Sequence, residues 1–417
     1  TKRRHRPSLL GSCFLAFTLL LASQSAVAAR SPSLSTDFYE DALERFQVGD
    51  SKAAIIQLKN ALQEDSSNLP ARILLGMSYL REGAIEFAEK ELRQARALGV
   101  DVNLIAEPLA TAYLLQRKYD EVFSDIDERR LNTKSLGTLR TIQGKAYIQN
   151  NALREAAFAF REAKALLPDS PEPDLGLAVV ALQEGNSESA RAFALAASRI
   201  GPDSPQTWYV FGEIERDGGD SDAALEHYSK ALELQPEHVL ALSARASTLV
   251  SLDRGEQATA DLDRLDELSP NDPQVTYLRA LMLAQTGDIT QARAVLQSAT
   301  QYLLGMDQEW IQSNGPSLLL MGFIAHGEGN FDIAHGHLNR YVKFFPRNVG
   351  ARKLLADIYL RRNQPLSAIE TLQPAVALAP KDSAILLMMG TAYAQRGRPE
   401  DAVRMLEKAV ALAPDAM

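Results

Sequence analysis

His326, His335 and His337 form the tightest group among the six histidines of a chain of 417 residues. Two imidazoles chelate from one helix when they are four residues apart and share a face. His335 and His337 are two apart within a helical pattern, so they point to different faces and no metal site is expected. Glu213 and Glu215 have the same spacing and read as a solvated face, not as an acid–base pair. Asp217-Gly218-Gly219-Asp220 has the glycines of a phosphate cradle but lacks the Lys-Ser/Thr that would follow in a P-loop. It reads as a turn between helices. The single cysteine, Cys13, lies in an N-terminal segment expected to be removed, which leaves neither a thiol nucleophile nor a disulfide. No catalytic constellation and no cofactor motif emerges, and the chain reads as a non-enzyme.

The elements that carry these residues recur. Units of 34 residues start at Ser35, Leu69, Asn103, Gly137, Pro171, Pro205, Val239 and Pro273, and resume after eight extra residues at Gly315, Val349 and Ser383. Eleven units span almost the whole chain. A period of this length is the signature of a helical array whose repeats bury their apolar faces on one another.

Four columns explain the unit. Position 8 is always Gly or Ala, from Ala42 and Gly76 to Gly390. Position 20 is Ala in every unit except at Val122. Small residues in these columns let two helices cross closely. Position 15 is Gly in seven units and Arg117, Asn151, Asp253 or Asn363 in the others, which suits the left-handed exit of a helix. Position 32 is Pro in seven units, from Pro168 to Pro414, and stops the second helix. Each unit is therefore helix, turn, helix, stop. The third unit, Asn103 to Lys134, is the poorest, with Val122, Arg129 and Lys134 off-pattern and Pro108 expected to interrupt its first helix.

Trp208, Phe211-Gly212, Gly219, Ala224, Tyr228, Ala231 and Pro236 resemble the tetratricopeptide repeat signature. The expected fold is all-α, a right-handed α-solenoid of about eleven helix-turn-helix units. By that resemblance, positions 2, 5, 9 and 12 line the concave wall. In the middle units these include Leu175, Val179, Leu182, Tyr209, Glu213, Arg216, Val250, Tyr277 and Leu281. The mixture is aromatic, aliphatic and sparsely charged, and suits an extended peptide or the amphipathic helix of a protein partner. Tetratricopeptide domains that grip a C-terminal carboxylate use Lys and Asn at positions 5 and 9. Here the near match is Lys353 with Asp357, and Asp would repel a carboxylate.

The first residues are of another kind. Lys2, Arg3, Arg4 and Arg6 precede an apolar run from Leu9 to Ala22, followed by Ala26-Val27-Ala28. That order is a secretory signal covering 1–28, with a mature start at Ala29. A retained anchor is one alternative. Another is acylation at Cys13, since Leu10-Gly11-Ser12-Cys13 spells a lipobox, although most of the apolar run follows the Cys. Export would remove four basic residues and leave 40 against 53 acidic ones, a net charge of −13. This disfavours nucleic acid and anionic lipid headgroups, so the membrane is expected to be reached only through the N-terminus.

The opening "DFYEDALERFQVGDSKAAIIQLKNALQEDSSNLPARILLGMSYL", the "YDEVFSDIDE" of the third unit and "YVKFFPRNVGARKLLADIYLRRNQPLSAIETLQPAVALAP" resemble the PrsT family. These are tetratricopeptide-repeat proteins of the PEP-CTERM/exosortase system, usually lipoproteins. The resemblance implies a Gram-negative envelope protein linked to exopolysaccharide production and surface-protein sorting, of which this chain would be an N-terminal portion. Cys13 departs from the family's lipid-anchor position. The function expected is a non-catalytic scaffold that holds protein partners in the envelope. The alternatives are an assembly or chaperone-like factor for outer-membrane or cell-wall proteins, and a module joined to an enzyme domain past Met417. The repeat columns specify no oligomeric state.

The domain reading is 1–28 signal, 29–304 units one to eight, 305–314 insertion and 315–416 units nine to eleven. In the eighth unit Leu304 replaces the stop proline. Its second helix is expected to overrun by about two turns, roughly 12 Å at 1.5 Å per residue. Trp310 would then cap the groove or pack on the next unit, at a bend. Ala402, Leu406, Ala409 and Leu412 are apolar at helical spacing on the last helix, which points to further repeats or a cap beyond Met417.

Overall fold

The computed structural model describes residues 33–412, apart from the side chains of Glu309, Trp310 and Ser313. The expected signal and Cys13, the mature start at Ala29, the Trp310 side chain and the end at Met417 lie outside the described residues. Among the described residues every regular element is a helix, and the helices run in hairpin pairs. The sixth repeat, Pro205–Asp217 with Ser221–Leu234, shows the local rules. Ser204 caps the first helix through Thr207 N–H, and Asp220 caps the second through Ala223 N–H. These side chains satisfy amides that the first turn leaves without a partner.

Between the two helices Gly219 adopts φ +84°. The same left-handed turn recurs at position 15 of every repeat, including Arg117, Asn151, Asp253 and Asn363, with φ between 54° and 59°. Side chains with a Cβ tolerate that region at some strain, so the turn is imposed by the hairpin and not by glycine alone. Position 8 packs against position 24. A Cβ on Gly76 would lie 2.7 Å from Leu92 Cγ, and one on Gly322 would lie 2.7 Å from Leu338 Cγ. At Gly212 it would overlap the Tyr228 ring. The absent side chain is what seats the large residue of the opposite helix, and Tyr228 is fully buried there.

The described chain divides into two compact units, up to Ser135 and from Leu136 onward. In the first, Pro108 lies inside an unbroken helix, Val102–Leu115, so the expected interruption does not occur. Proline removes one backbone hydrogen bond, while Ile105, Ala106, Leu109 and Ala110 hold the helix by burial. The weakness of this repeat lies in its second helix, which is only Tyr119–Ser124. There Asp125, the C-cap that ends it, accepts Arg96 Nη1 at 2.7 Å and the Tyr113 hydroxyl at 2.5 Å.

In the second unit the insertion differs from expectation. The second helix of the eighth repeat, Ile289–Leu304, ends at Gly305, and a separate short helix, Gln308–Ser313, follows. The overrun is two residues, not two turns. Leu303 and Ile311 are both buried with Leu320 and Ile324, so burying the inserted residues on the ninth repeat wins over extending a helix into water.

The second unit also has contacts beyond neighbouring repeats. Arg347, after the second helix of the ninth repeat (Phe331–Phe344), pairs with Asp217, the last residue of the sixth repeat's first helix. A Cβ on Gly185, in the turn of the fifth repeat, would lie 3.4 Å from Arg347 Nη1. Asn151, in the turn of the fourth, faces Gly336, Asn339, Arg340, Lys343 and Phe344 across a cleft. The second helix of the ninth repeat thus faces the turn of the fourth, and the loop after it meets the fifth and sixth.

Candidate interaction surface

The first helices of repeats five to eight carry the expected wall residues. The structure separates them by burial. Leu175 is 3% exposed and Val250 1% exposed. Leu175 packs with Ala178, Ala194 and Val210, and Val250 with Leu249 and Leu278. Neither offers surface to a partner, which corrects the reading of positions 5 and 12 as uniformly outward. The next first helix overlaps the edge of the wall and covers these two side chains.

Val179, Leu182, Tyr209, Glu213, Tyr277 and Leu281 are half-buried, and Arg216 is exposed. They fall into two groups. Around the sixth repeat, Arg216 Nη2 donates to Glu213 Oε2 at 2.5 Å, and the Tyr228 hydroxyl donates to Glu213 Oε1 at 2.6 Å. The Glu213 carboxylate holds the Arg216 guanidinium above its ordinary pKa. Burial, followed by the Glu213 charge, raises the phenols of Tyr209 and Tyr228. The wall therefore presents a fixed cation backed by neutral phenols at any biological pH. Tyr209 itself packs between repeats, with ring centroids 6.2 Å from Tyr228 and 5.8 Å from His238.

Tyr277 belongs to the second group. Its ring meets Phe323 edge-on at 5.0 Å, and it packs against the buried clusters of repeats seven, eight and nine. Burial pushes its phenol up to about 12. It is a wedge between adjacent first helices, half covered on the wall. Leu281, one turn along, packs with the cluster of Leu249 and Met282.

His326, His335 and His238 are engaged in structural contacts. His326 Nε2 lies 2.7 Å from Asp357 Oδ2, which also takes Arg361 Nε at 2.6 Å. His335 meets the Tyr359 hydroxyl at 3.1 Å. Burial lowers the pKa of both His335 and His337. His238 accepts Ala241 N–H as a helix cap. Among the described residues no group of three or more His, Cys, Asp or Glu side chains could hold a metal ion. Lys353 is occupied by Asp382 at 2.9 Å and is not poised for a partner's carboxylate. No described helix is long and apolar enough to cross a membrane. The sequence columns did not reveal the Arg347–Asp217 pair or the cleft beside it, because these join repeats that are not neighbours.

Helical hairpins stacked through small-residue crossings define an α-solenoid built of helix-pair repeats. Models of one description, Tetratricopeptide repeat, match residues 147–210, 216–282 and 362–417, residues 325–383, and residues 273–298. Together they cover more than half of the sequence, and the chain belongs to the tetratricopeptide-repeat proteins.

Its relatives include Anaphase-promoting complex subunit 3 of Schizosaccharomyces pombe, 24% identical over 42% of this chain and 27% of that protein. General transcription factor 3C polypeptide 3 of Homo sapiens is 26% identical over 41% of this chain and 20% of its own length. The Tetratricopeptide repeat and J domain-containing co-chaperone DNJ1 of Cryptococcus neoformans is 24% identical over 39% and 33%. The matched part thus spans a third or less of each relative. A solved structure of the APC/C hetero-tetramer Cut9-Hcn1 aligns over 98% of this chain and 97% of its own, with 14% identity and a TM-score of 0.40.

Proposed function

We propose that the chain is a non-catalytic scaffold whose first-helix wall in repeats five to eight takes an extended or helical segment of a protein partner. The observation that carries this reading is Arg216, exposed but anchored by Glu213, on the same helix as the half-buried Tyr209, which packs against one cluster with Val179 and Leu182. An anchored, pre-oriented cation beside apolar surface needs little ordering when a partner binds. The tetratricopeptide family supports the partner class, since such repeats are used to bind proteins.

The place of action proposed is the envelope of a Gram-negative bacterium, in exopolysaccharide export or PEP-CTERM/exosortase sorting. Support for this comes from the signal-like order of 1–28 and from the resemblance to the PrsT family; the relatives named above are eukaryotic and speak only for the repeats. The co-chaperone among them favours a second reading, a chaperone-like assembly factor for envelope proteins.

A photo-crosslinker placed at Arg216, and separately at exposed Glu226 on the second helix, tests the wall in living cells. A discrete adduct from position 216 and none from 226 is expected. Equal labelling at both positions overturns the wall. An adduct with a secretion or sorting component supports the first reading, and a spread of outer-membrane clients supports the second.

A further inference from the structure

The cleft between the turn of the fourth repeat and the second helix of the ninth is lined by none of the wall residues. Its volume is about 590 Å³, and it is lined by Asn151, Gly336, Asn339, Arg340, Lys343 and Phe344. That size falls within the roughly 300–1,000 Å³ typical of ligand sites. The helix side is built by periodicity: Gly336, Arg340 and Lys343 follow at intervals of four and three within Phe331–Phe344, so they share one face, and Arg347 lies in the loop that follows the helix. Gly336 supplies the width. A Cβ there would meet nothing within 4 Å.

The charges on this face are unequal in their partners. Arg347 is matched by the carboxylate of Asp217. Arg340 and Lys343 are exposed, and among the described residues neither has an ion pair or hydrogen bond. Phe344, in the same lining, is 48% exposed. In a chain of net charge −9, two unmatched cations beside an open aromatic ring form a local reversal of sign. At Arg347 the gap is already bridged by a carboxylate. On the helix before it, Arg340 and Lys343 have no such carboxylate among the described residues.

We propose that this cleft docks an acidic segment of a protein partner, with carboxylates on Arg340 and Lys343 and an apolar side chain on Phe344. Asn151, at the turn, offers both a donor and an acceptor to the backbone of that segment. Nucleic acid fits poorly, because two cations on an acidic chain give too little counterion release. The site stands independently of the first-helix wall.

The test is fluorescence anisotropy of a fluorescein-labelled Glu-Glu-Phe-Glu-Glu peptide against the full chain. A Lys-Lys-Phe-Lys-Lys peptide and a single-stranded oligonucleotide serve as comparisons. Binding of the acidic peptide alone is expected, weakening as salt is raised. R340E/K343E should lower affinity by about tenfold or more, the scale of two exposed charge contacts reversed. Gly336→Leu should do the same by filling the cleft without touching a charge, and Arg216→Ala should leave the affinity unchanged. Melting curves confirm that each variant is folded. Equal binding by wild type and R340E/K343E, no binding by wild type, or a preference for the oligonucleotide overturns the proposal. Loss of binding in Arg216→Ala with retention in R340E/K343E moves the peptide to the first-helix wall and overturns it as well.

Discussion

Arg347 and Asp217 are paired although 130 residues separate them. Asp217 also accepts the Ser187 hydroxyl at 3.1 Å. Within the unit that starts at Leu136, this joint ties the loop that ends the ninth repeat to the hairpins of the fifth and sixth. A half-exposed ion pair adds only about 0–1 kcal/mol. Arg347→Glu should therefore hardly shift the melting temperature, yet it should broaden the distance between spin labels at positions 151 and 339, as read by pulsed resonance. An unchanged distribution would show that packing alone holds the two elements.

The crossing of position 8 with position 24 makes opposite predictions for two glycines. Gly212→Ala drives a methyl into the Tyr228 ring and should destabilise by about 1–3 kcal/mol. Gly336→Ala adds a methyl to open space in a helix and should be neutral or stabilise by up to about 1 kcal/mol. Urea unfolding of the two variants side by side checks both. Ala224→Leu, at a fully buried crossing, belongs with Gly212→Ala.

Tyr277 and Arg216 separate packing from recognition. Tyr277→Ala removes a ring wedged against Phe323 and should lower stability by about 2 kcal/mol, less than for a fully buried aromatic. Arg216→Ala should leave stability nearly unchanged, since the guanidinium is exposed, but weaken the adduct expected on the wall. A stable Tyr277→Ala variant that fails to bind the partner would reverse these roles.

Alkaline pH provides a further check. The Tyr277 phenol is pushed up to about 12 from an ordinary value near 10, and Tyr39 behaves alike. Burial favours the neutral form, so the folded state keeps a proton that the unfolded state releases. The associated stability is fully present below pH 10 and is lost as pH rises from about 10 to 12. Tyr277→Phe should remove part of that slope in melting temperature between pH 9 and 11.5. An identical slope would mean that the phenol titrates freely.

The hairpins were legible in the sequence because each column obeys a contact that closes within one repeat. Position 15 had to enter a left-handed turn, and it does so even at Arg117 and Asn151, where no glycine helps. Position 8 had to be small, and the structure sets Leu92, Tyr228 or Leu338 against it. These are short-range demands, repeated eleven times, and their repetition raised the signal. Burial along the wall was a different matter. Leu175 and Tyr209 share position 5, and Val250 and Arg216 share position 12, yet Leu175 and Val250 are buried while Tyr209 is half-buried and Arg216 exposed. What covers Leu175 is the next repeat's Val210 and Phe211, and the size of a neighbour's side chain is not written in the column. Likewise, Leu303 and Ile311 turned the insertion back on the ninth repeat, where helical reach predicted a straight overrun. The joint of Arg347 with Asp217 and the cleft beside it lie furthest from the sequence. They depend on small rotations summed from hairpin to hairpin between the fourth and ninth repeats, so only the tertiary structure could bring those residues together.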